Sequence, residues 1–192
     1  HTASILPYKS NEKELRITNV ESTMKLIDSI SKSDKTFFIY VSSSGVYGKP
    51  KEIPIKKETS FNPLDIYAET KLEAEAYLNK KLDTKRFAII RPRTILGESR
   101  GGIFNIFFKL IKLRIPLPIP NYGKQKLQFV DVEDVASLLI FLGINSISGV
   151  WPAAAPDPLP LKDHLKNLEI ILDKKIFTFN INPSFFQFIG NL

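Results

Sequence analysis

The sequence predicts an α/β fold built on a parallel β-sheet, and three observations support this class. Two short runs of apolar, β-branched and aromatic residues, at 36–41 and 87–91, have the composition of buried strands. Each run follows a segment with the periodicity or composition of a helix, at about 12–32 and about 64–82. Helices that alternate with buried strands are typical of a parallel sheet whose two faces are both covered.

The first helix, strand and loop are predicted by three different patterns. Apolar residues recur mostly every three or four positions within 12–32, which indicates a helix. The run at 36–41 ends in three serines at 42–44, so this strand leads into a loop. Prolines, lysines and turn residues then predict a long loop over 48–63.

The second helix and strand follow that loop. Alanine, glutamate, lysine and leucine dominate 64–82, and all four are strong helix formers. The strand at 87–91 is closed by Pro92. Sheets of this class bind ligands beyond the carboxyl ends of their strands. We therefore expect the serines at 42–44 and the residues around Pro92 to face one crevice.

The second half of the chain is less regular. In order, the expected elements are an amphipathic helix over 101–114, a short strand and a helix over 126–143, a strand near 149–151, a helix near 160–173 and a strand near 175–180. The helix within 126–143 has an acidic first turn, which suits the positive end of the helix dipole.

Composition excludes several kinds of site and partner. The chain has 192 residues, 43% hydrophobic and 24% charged, which is ordinary for a globular protein. It has no cysteine and two histidines, so we expect no metal site. No apolar run reaches the roughly 18 residues of a membrane span, and we expect a cytoplasmic protein. The net charge is +7, but the basic residues are dispersed, which argues against binding of nucleic acid.

A tyrosine with a lysine four positions later is common in this chain, so the spacing alone does not identify a site. The four such pairs are Tyr47 with Lys51, Tyr67 with Lys71, Tyr77 with Lys81, and Tyr122 with Lys126. Glycines interrupt the first and last pairs, and the Tyr77 pair lies about 15 Å further along the second helix. Only Tyr67 and Lys71 lie near the start of a helix that follows a serine-ended strand.

This placement suits proton transfer from an alcohol. Residues four apart face the same side of a helix, so Lys71 can lie beside the phenol of Tyr67. A free phenol titrates near pH ~10, and a neighbouring ammonium favours the phenolate. Tyr67 then accepts a proton from an alcohol near neutral pH, a serine hydroxyl at the strand end holds the same oxygen, and a nicotinamide takes the hydride. The alternative is an ordinary tyrosine and lysine on a surface helix.

Four motifs resemble those of extended short-chain dehydrogenases/reductases of the NAD-dependent epimerase/dehydratase family. They are FIYVSSSGVYG at 38–48, PLDIYAETKLEAE at 63–75, IIRPRTILG at 89–97 and FVDVEDVA at 129–136. The segment at 1–4 and the Asn19-Val20 pair resemble two further family motifs. The resemblance implies a Rossmann-like parallel sheet flanked by helices, with NAD or NADP as the cofactor.

The resemblance also assigns roles to residues. The family's catalytic tyrosine and lysine fall on Tyr67 and Lys71, which also contact the cofactor, and its catalytic serine falls on Ser43. Asn19 matches an asparagine that supports the active-site lysine. The further residues expected at the cofactor are Ala3, Ser42, Pro92 and Ile95. The two serines that flank Ser43 are expected to cap the backbone of the loop.

One departure from the family pattern is a missing glycine-rich loop. The family's Gly-x-x-Gly-x-x-Gly loop, which cradles phosphate, is absent, and the first glycine is Gly45. We therefore expect an N-terminally incomplete Rossmann-like domain over 1–98. A small C-terminal α+β substrate-binding portion is expected over 99–192, with about 126–145 packing back on the first part.

The predicted function is that of an NAD(P)-dependent epimerase or reductase acting on a secondary alcohol or ketone of a nucleotide sugar. Ser44 and Gly45 stand where sugar dehydratases carry Asp-Glu, which disfavours dehydration, and Leu127-Gln128 replaces an arginine common in sugar-nucleotide epimerases. The alternative is a non-catalytic or truncated remnant of this fold with a nucleotide-sensing or assembly role. Family members commonly pair the two helices predicted here at about 12–32 and 64–82 with those of a second subunit in a four-helix bundle, so the resemblance implies a homodimer. In this family the residue that selects NAD or NADP is expected upstream of residue 1, so the sequence does not choose between the two cofactors.

Overall fold

The computed structural model describes residues 1–6, 10–98 and 103–182 of the chain. The elements in chain order are α1 (Glu12–Leu15), a π-helical segment (Arg16–Glu21), α2 (Ser22–Ser31), β1 (Phe38–Val41), α3 (Ile66–Lys81), β2 (Phe87–Pro92), β3 (Thr94–Leu96), α4 (Ile103–Lys112), β4 (Leu117–Pro120), β5 (Lys126–Leu127), β6 (Phe129–Asp131), α5 (Val132–Ile144), β7 (Gly149–Ala153), β8 (Leu159–Pro160), α6 (Leu161–Leu172) and β9 (Thr178–Ile181). The first two residues of the helix predicted over 101–114 lie outside the described residues. No helix in the described ranges is both long enough and apolar enough to cross a membrane.

The chain divides into two compact units. Among the described residues, the first unit contains those within His1–Ile95 and Val130–Ala154, and the second contains those within Leu96–Phe129 and from Ala155 onward. The first unit has the sheet predicted from the two buried runs. The second has its own apolar core, in which residues of α4, β4 and α6 pack together. Its strands form two pairs, β4 with β9 in parallel and β5 with β8 antiparallel.

The sheet of the first unit consists of β1, β2 and β7, all parallel, with β2 in the centre. Val41 lies opposite Ile90, so β1 and β2 end side by side. The N–H of Ser42 donates to the carbonyl of Ile90 at 2.8 Å and extends the ladder by one residue. The prediction that the serine-ended strand and the strand before Pro92 end at one edge is therefore confirmed.

Both faces of this sheet are covered by helices, as strands without a polar face require. Phe87 and Ile89 of β2 pack against apolar residues of α2 and α3. Ala88 and Ile90, which point to the other face, pack with apolar residues of α5. Every residue of β2 is buried, which explains its apolar run from Phe87 to Ile90. The predicted α/β class, with a parallel sheet between helices, is confirmed.

The first residues of the chain lie along the outer edge of β1. The amine of His1 donates to the Ile39 carbonyl at 2.6 Å, and the His1 carbonyl accepts from the Val41 N–H at 3.1 Å. These two bonds have the pattern of a parallel bridge opposite Tyr40, on the side of β1 away from β2. The segment after His1 therefore leaves the sheet beside the carboxyl end of β1.

The structure contains two short strands that the sequence did not predict, β3 and β8, and it differs from the prediction in two longer segments. The helix expected over 12–32 is interrupted by the π-helical segment Arg16–Glu21, which carries the buried Asn19. Such segments inside α-helices are frequent at functional sites. Strand β4 is not predicted, because its prolines interrupt the apolar run. Proline is tolerated on edge strands, and the alternation of prolines with buried apolar residues gives β4 one buried side.

Candidate active site

Helix α3 begins where the candidate site requires it. Asp65 has an extended backbone, and its carboxylate accepts a hydrogen bond from the Ala68 N–H at 2.7 Å, which caps the first turn. Tyr67 therefore lies in the first turn, and Lys71 lies one turn later on the same side of the helix. The prediction that this pair opens a helix after the long loop is confirmed.

Lys71 connects α3 to the end of β1. Its side chain is buried, with 3% of the residue exposed. The ammonium Nζ donates to the Val41 carbonyl at 3.0 Å. The same nitrogen lies 5.7 Å from the ring centroid of Tyr67 and 5.1 Å from that of Tyr40. The ammonium therefore lies near two phenol rings and is bonded to the residue that directly precedes the serine run.

Burial lowers the pKa of Lys71 from 10.5 to about 8, and the negative charge of Glu75 opposes this effect. The cause is that a buried ammonium loses hydration that the neutral amine does not need. At neutral pH the side chain is still mostly cationic, which a role beside a phenolate requires. Burial thus makes the charged form of Lys71 less favourable than it is in water, and ionisable groups with pKa values shifted in this way are common at functional sites.

This burial predicts how stability depends on pH. The unfolded chain binds the lysine proton more tightly than the folded protein between pH about 8 and 10.5, so stability rises with pH in that window. Relative to Lys71→Met, the wild-type protein is expected to gain about 2 kcal/mol of unfolding free energy from pH 7 to pH 9.5. Urea unfolding at the two pH values measures this difference. Equal pH dependence of the two proteins would contradict the buried cation.

Tyr40 is a second phenol near Lys71, and the sequence analysis did not single it out. It is almost completely buried, and its hydroxyl has no hydrogen-bond partner among the described residues. Burial raises the pKa of Tyr40, and the charges of Glu75 and Tyr67 raise it further. Tyr40 therefore stays protonated, whereas Tyr67 is only partly buried.

Ser43 lies in a tight turn against the start of α3. Its backbone is extended and its Oγ accepts a hydrogen bond from the Gly45 N–H at 3.0 Å, which caps the 3₁₀ turn Ser44–Tyr47. A Cβ on Gly45 would lie 3.2 Å from the Ser43 Oγ and 3.4 Å from the Ala68 Cβ. The Ser43 hydroxyl and the residue after Tyr67 thus flank one glycine. Because Oγ accepts in this cap, its own O–H remains available as a donor.

The expected capping role of the two flanking serines is wrong. Ser43 itself makes the cap, because its extended backbone puts Oγ in front of the Gly45 N–H. Ser44 Oγ instead accepts a long hydrogen bond from Arg93 at 3.4 Å. Ser42 Oγ is buried and has no hydrogen-bond partner within the described ranges. A buried hydroxyl without a partner is costly and calls for an explanation.

Asn19 reaches the site from the π-helical segment and is 1% exposed. Its Oδ1 accepts from Ser4 Oγ at 3.1 Å and from the Ile5 N–H at 2.9 Å. Its Nδ2 donates to the Ile5 carbonyl at 3.1 Å and to Thr70 Oγ1 at 3.4 Å. Asn19 therefore links the segment around Ala3 to helix α3. Its contact on α3 is Thr70, the residue directly before Lys71. Ala3 itself is exposed between these contacts and the His1 bridge.

A buried polar cluster close to Lys71 was not predicted from the sequence. It consists of Tyr47, Glu75 and Arg91. The guanidinium of Arg91 donates to both oxygens of Glu75, at 3.0 Å and 2.6 Å. It also donates to the Tyr47 hydroxyl at 2.5 Å. Glu75 stands four residues after Lys71, and Arg91 ends the apolar run of β2. A charged residue at the end of a buried apolar run, as Arg91 is, was the signal that could have identified this cluster.

The other predicted positions are also located. Pro92 ends β2 opposite Ala153 of β7. Ile95 lies in β3 and packs against the core on the α5 side of the sheet. Pro92 is thus the last residue of β2, and Ile95 follows it by three positions.

The Tyr77 and Lys81 pair, which the sequence analysis set aside, has a structural role. Both side chains contact the carboxylate of Asp28, at 2.7 Å and 3.1 Å, and so connect α3 to α2.

Comparison with known proteins adds a family and a set of relatives. The sequence profile of the NAD dependent epimerase/dehydratase family matches residues 4–148. A UDP-glucose 4-epimerase of Lactobacillus helveticus is 29% identical over 103 residues, which are 52% of this chain and 31% of that protein. Another curated relative is matched over 36% of its length. The chain therefore spans a minor part of these relatives.

Two solved structures share the fold. The UDP-N-acetylglucosamine 4-epimerase of Methanobrevibacter ruminantium M1, in complex with UDP-N-acetylmuramic acid, superposes with a TM-score of 0.84 at 20% identity. The UDP-glucuronic acid 4-epimerase of Bacillus cereus, in complex with NAD, superposes with a TM-score of 0.80 at 23% identity. Each comparison covers 95% of this chain and 62% of the other.

Proposed function

Because the chain belongs to the NAD dependent epimerase/dehydratase family, we propose that it carries the Ser-Tyr-Lys site of an enzyme that epimerises a nucleotide sugar. Membership confirms the resemblance noted in the sequence. The observation that carries the proposal is the position of the Lys71 ammonium, 5.7 Å from the Tyr67 ring and bonded to the carbonyl that precedes the serine run. The Ser43 hydroxyl lies on the turn that packs against the same end of α3.

In the proposed mechanism, these three side chains handle one alcohol oxygen. Tyr67 accepts its proton, and the Lys71 ammonium favours the phenolate that does so. The Ser43 hydroxyl donates to the same oxygen and steadies it as it becomes a carbonyl. The nicotinamide supplies the hydride acceptor when it is bound. An epimerisation would be complete when the hydride returned to the opposite face of the same carbon and Tyr67 gave its proton back to the oxygen.

The residues present fit a nicotinamide cofactor at this edge of the sheet. Lys71 uses one of its three ammonium N–H groups on Val41, which leaves donors for a ribose hydroxyl. The Ser42 hydroxyl, which has no hydrogen-bond partner in the described part of the chain, is buried at the carboxyl end of β1, where such sheets bind ligands. We infer that Lys71, Tyr67 and Ser42 hold the nicotinamide half. The remaining positions proposed at the cofactor are Ala3, Pro92 and Ile95.

The substrate class rests on relatives. The curated relative and both solved structures described above are named as 4-epimerases of UDP-sugars, which favours epimerisation over net reduction. The absence of Asp-Glu at Ser44 and Gly45 agrees with this choice over dehydration.

The experiment uses the complete reading frame that encodes this chain. The purified protein is incubated with UDP-glucose, UDP-N-acetylglucosamine or UDP-glucuronate, and the products are separated by chromatography. We expect conversion of at least one sugar to its C4 epimer without net consumption of NAD. Turnover that consumes NAD(P)H in proportion to product would identify a reductase instead. A folded protein that binds NAD but converts no sugar by either route would contradict the proposal.

A further inference from the structure

Lys71 and Glu75 are close in the helix but bind different partners. They are one helical turn apart on α3, and 3% and 2% of them are exposed. A lysine and a glutamate at this spacing ordinarily attract each other. Here the Lys71 ammonium donates to the Val41 carbonyl, and both carboxylate oxygens of Glu75 accept from Arg91.

Arg91 is held in the position that makes this possible. Its backbone belongs to β2, the central strand of the sheet. Its Nη1 donates to the Tyr47 hydroxyl at 2.5 Å, and its guanidinium carbon lies 4.7 Å from the ring centroid of Phe61. A guanidinium is planar and binds a carboxylate through two parallel bonds, so it competes better than an ammonium for both oxygens.

We propose that Arg91 is a positioning residue that holds the Glu75 carboxylate away from Lys71 and so keeps the Lys71 ammonium available to Tyr67 and the cofactor. Without Arg91, a buried carboxylate is left without its cation, which is strongly unfavourable. The nearest alternative cation on α3 is Lys71. An ion pair between them would compete with the contact to Val41 and with the role of Lys71 at the phenol. The effect on the phenol rests on the proposed function. The exchange of partners, in which Glu75 pairs with Lys71 once Arg91 is removed, does not.

The charged and titratable groups around Lys71 come from three parts of the first unit. They are Tyr40 of β1, Tyr67 and Glu75 of α3, and the amine of His1 beside β1. Of these, Glu75 is the group whose charge raises the pKa of Lys71 while Arg91 holds it. Direct contact would raise that pKa further, so the side-chain titration of Lys71 reports the exchange of partners.

The test measures that titration by NMR in protein labelled with ¹³C-lysine, with the Lys71 signal assigned by its loss in Lys71→Arg. In Arg91→Met we expect the pKa of Lys71 to rise by about one pH unit or more, since an opposite charge within contact distance has an effect of this size. In Arg91→Met combined with Glu75→Gln the carboxylate is gone, and the pKa is expected at or below the wild-type value.

The pair of variants separates positioning from general damage. A rise in both variants would overturn the proposal, because the rise would not depend on Glu75. An unchanged or lower pKa in Arg91→Met would also overturn it, because the carboxylate would then have been protonated instead of paired with Lys71. If Arg91→Met does not fold, Arg91→Lys replaces it, since a point donor leaves one Glu75 oxygen free for Lys71. A smaller rise is then expected, and no rise rejects the proposal.

The rate of sugar turnover shows whether pairing of Glu75 with Lys71 affects the proposed active site. We expect Arg91→Met to lower kcat at least about tenfold, and the added Glu75→Gln to restore part of it, because it removes the competing carboxylate. If the wild-type protein turned over no sugar, only the proposed function would be refuted. The NMR titration would still decide the role of Arg91.

Discussion

Replacing Tyr67 by phenylalanine is expected to lower the kcat of sugar epimerisation by about 10²–10⁴-fold, the usual contribution of a positioned general base. The substitution removes the hydroxyl that accepts the proton and keeps the ring that packs near Lys71. The cofactor should therefore still bind, because the lysine ammonium and the end of β1 are unchanged. Steady-state kinetics of the complete protein, with NADH fluorescence to measure binding, check both parts of this expectation.

A matched control lies on the same helix. Tyr77 also precedes a lysine by four residues, but its hydroxyl donates to Asp28 at 2.7 Å on the surface between α3 and α2. Tyr77→Phe should leave kcat within about twofold of the wild type, because it touches no part of the proposed site. If Tyr67→Phe behaved like Tyr77→Phe, with cofactor bound, Tyr67 would have no part in the chemistry.

The largest expected effect on stability comes from Glu75→Ala. This change leaves the Arg91 guanidinium buried without its carboxylate, and breaking a buried ion pair by removing one partner costs about 3–5 kcal/mol. The two bonds at 3.0 Å and 2.6 Å, with both side chains almost fully buried, place this pair in that class. Urea unfolding of the wild type and the variant at neutral pH gives the difference in unfolding free energy.

Glu73 provides the control for this experiment. It lies on the same helix and pairs with Arg16 at 3.1 Å, but 46% of its side chain is exposed. Exposed ion pairs contribute about 0–1 kcal/mol, so Glu73→Ala should have little effect. Similar losses for Glu73→Ala and Glu75→Ala would mean that the Arg91 contact adds no more than a surface pair.

The sequence predicted the features that depend on local patterns. The strand at 87–91 reads as buried because four consecutive apolar residues begin it, and in the structure β2 is buried on both faces. Tyr67 and Lys71 were identified because helix spacing and the preceding serine run are visible along the chain. Their placement in the first turns of α3 follows from the cap at Asp65, which is also local.

The features that were missed depend on contacts distant in sequence. Arg91 meets Glu75 and Tyr47 only because β2 lies beside β1 and under α3. The capping role of Ser43 depends on its backbone angles, which three consecutive serines cannot reveal. Tyr40 was read as one apolar residue of a strand, and its closeness to Lys71 appears only when α3 packs on the sheet.

The central claim is that hydride leaves a sugar carbon and returns to it at the site formed by Ser43, Tyr67 and Lys71. The most direct measurement uses a UDP-sugar that carries deuterium on the carbon whose configuration changes, with the complete protein in ordinary water. The account predicts that the epimerised product keeps its deuterium, because the nicotinamide holds the hydride and gives it back. Product in which that deuterium has been replaced by hydrogen from water would contradict the account.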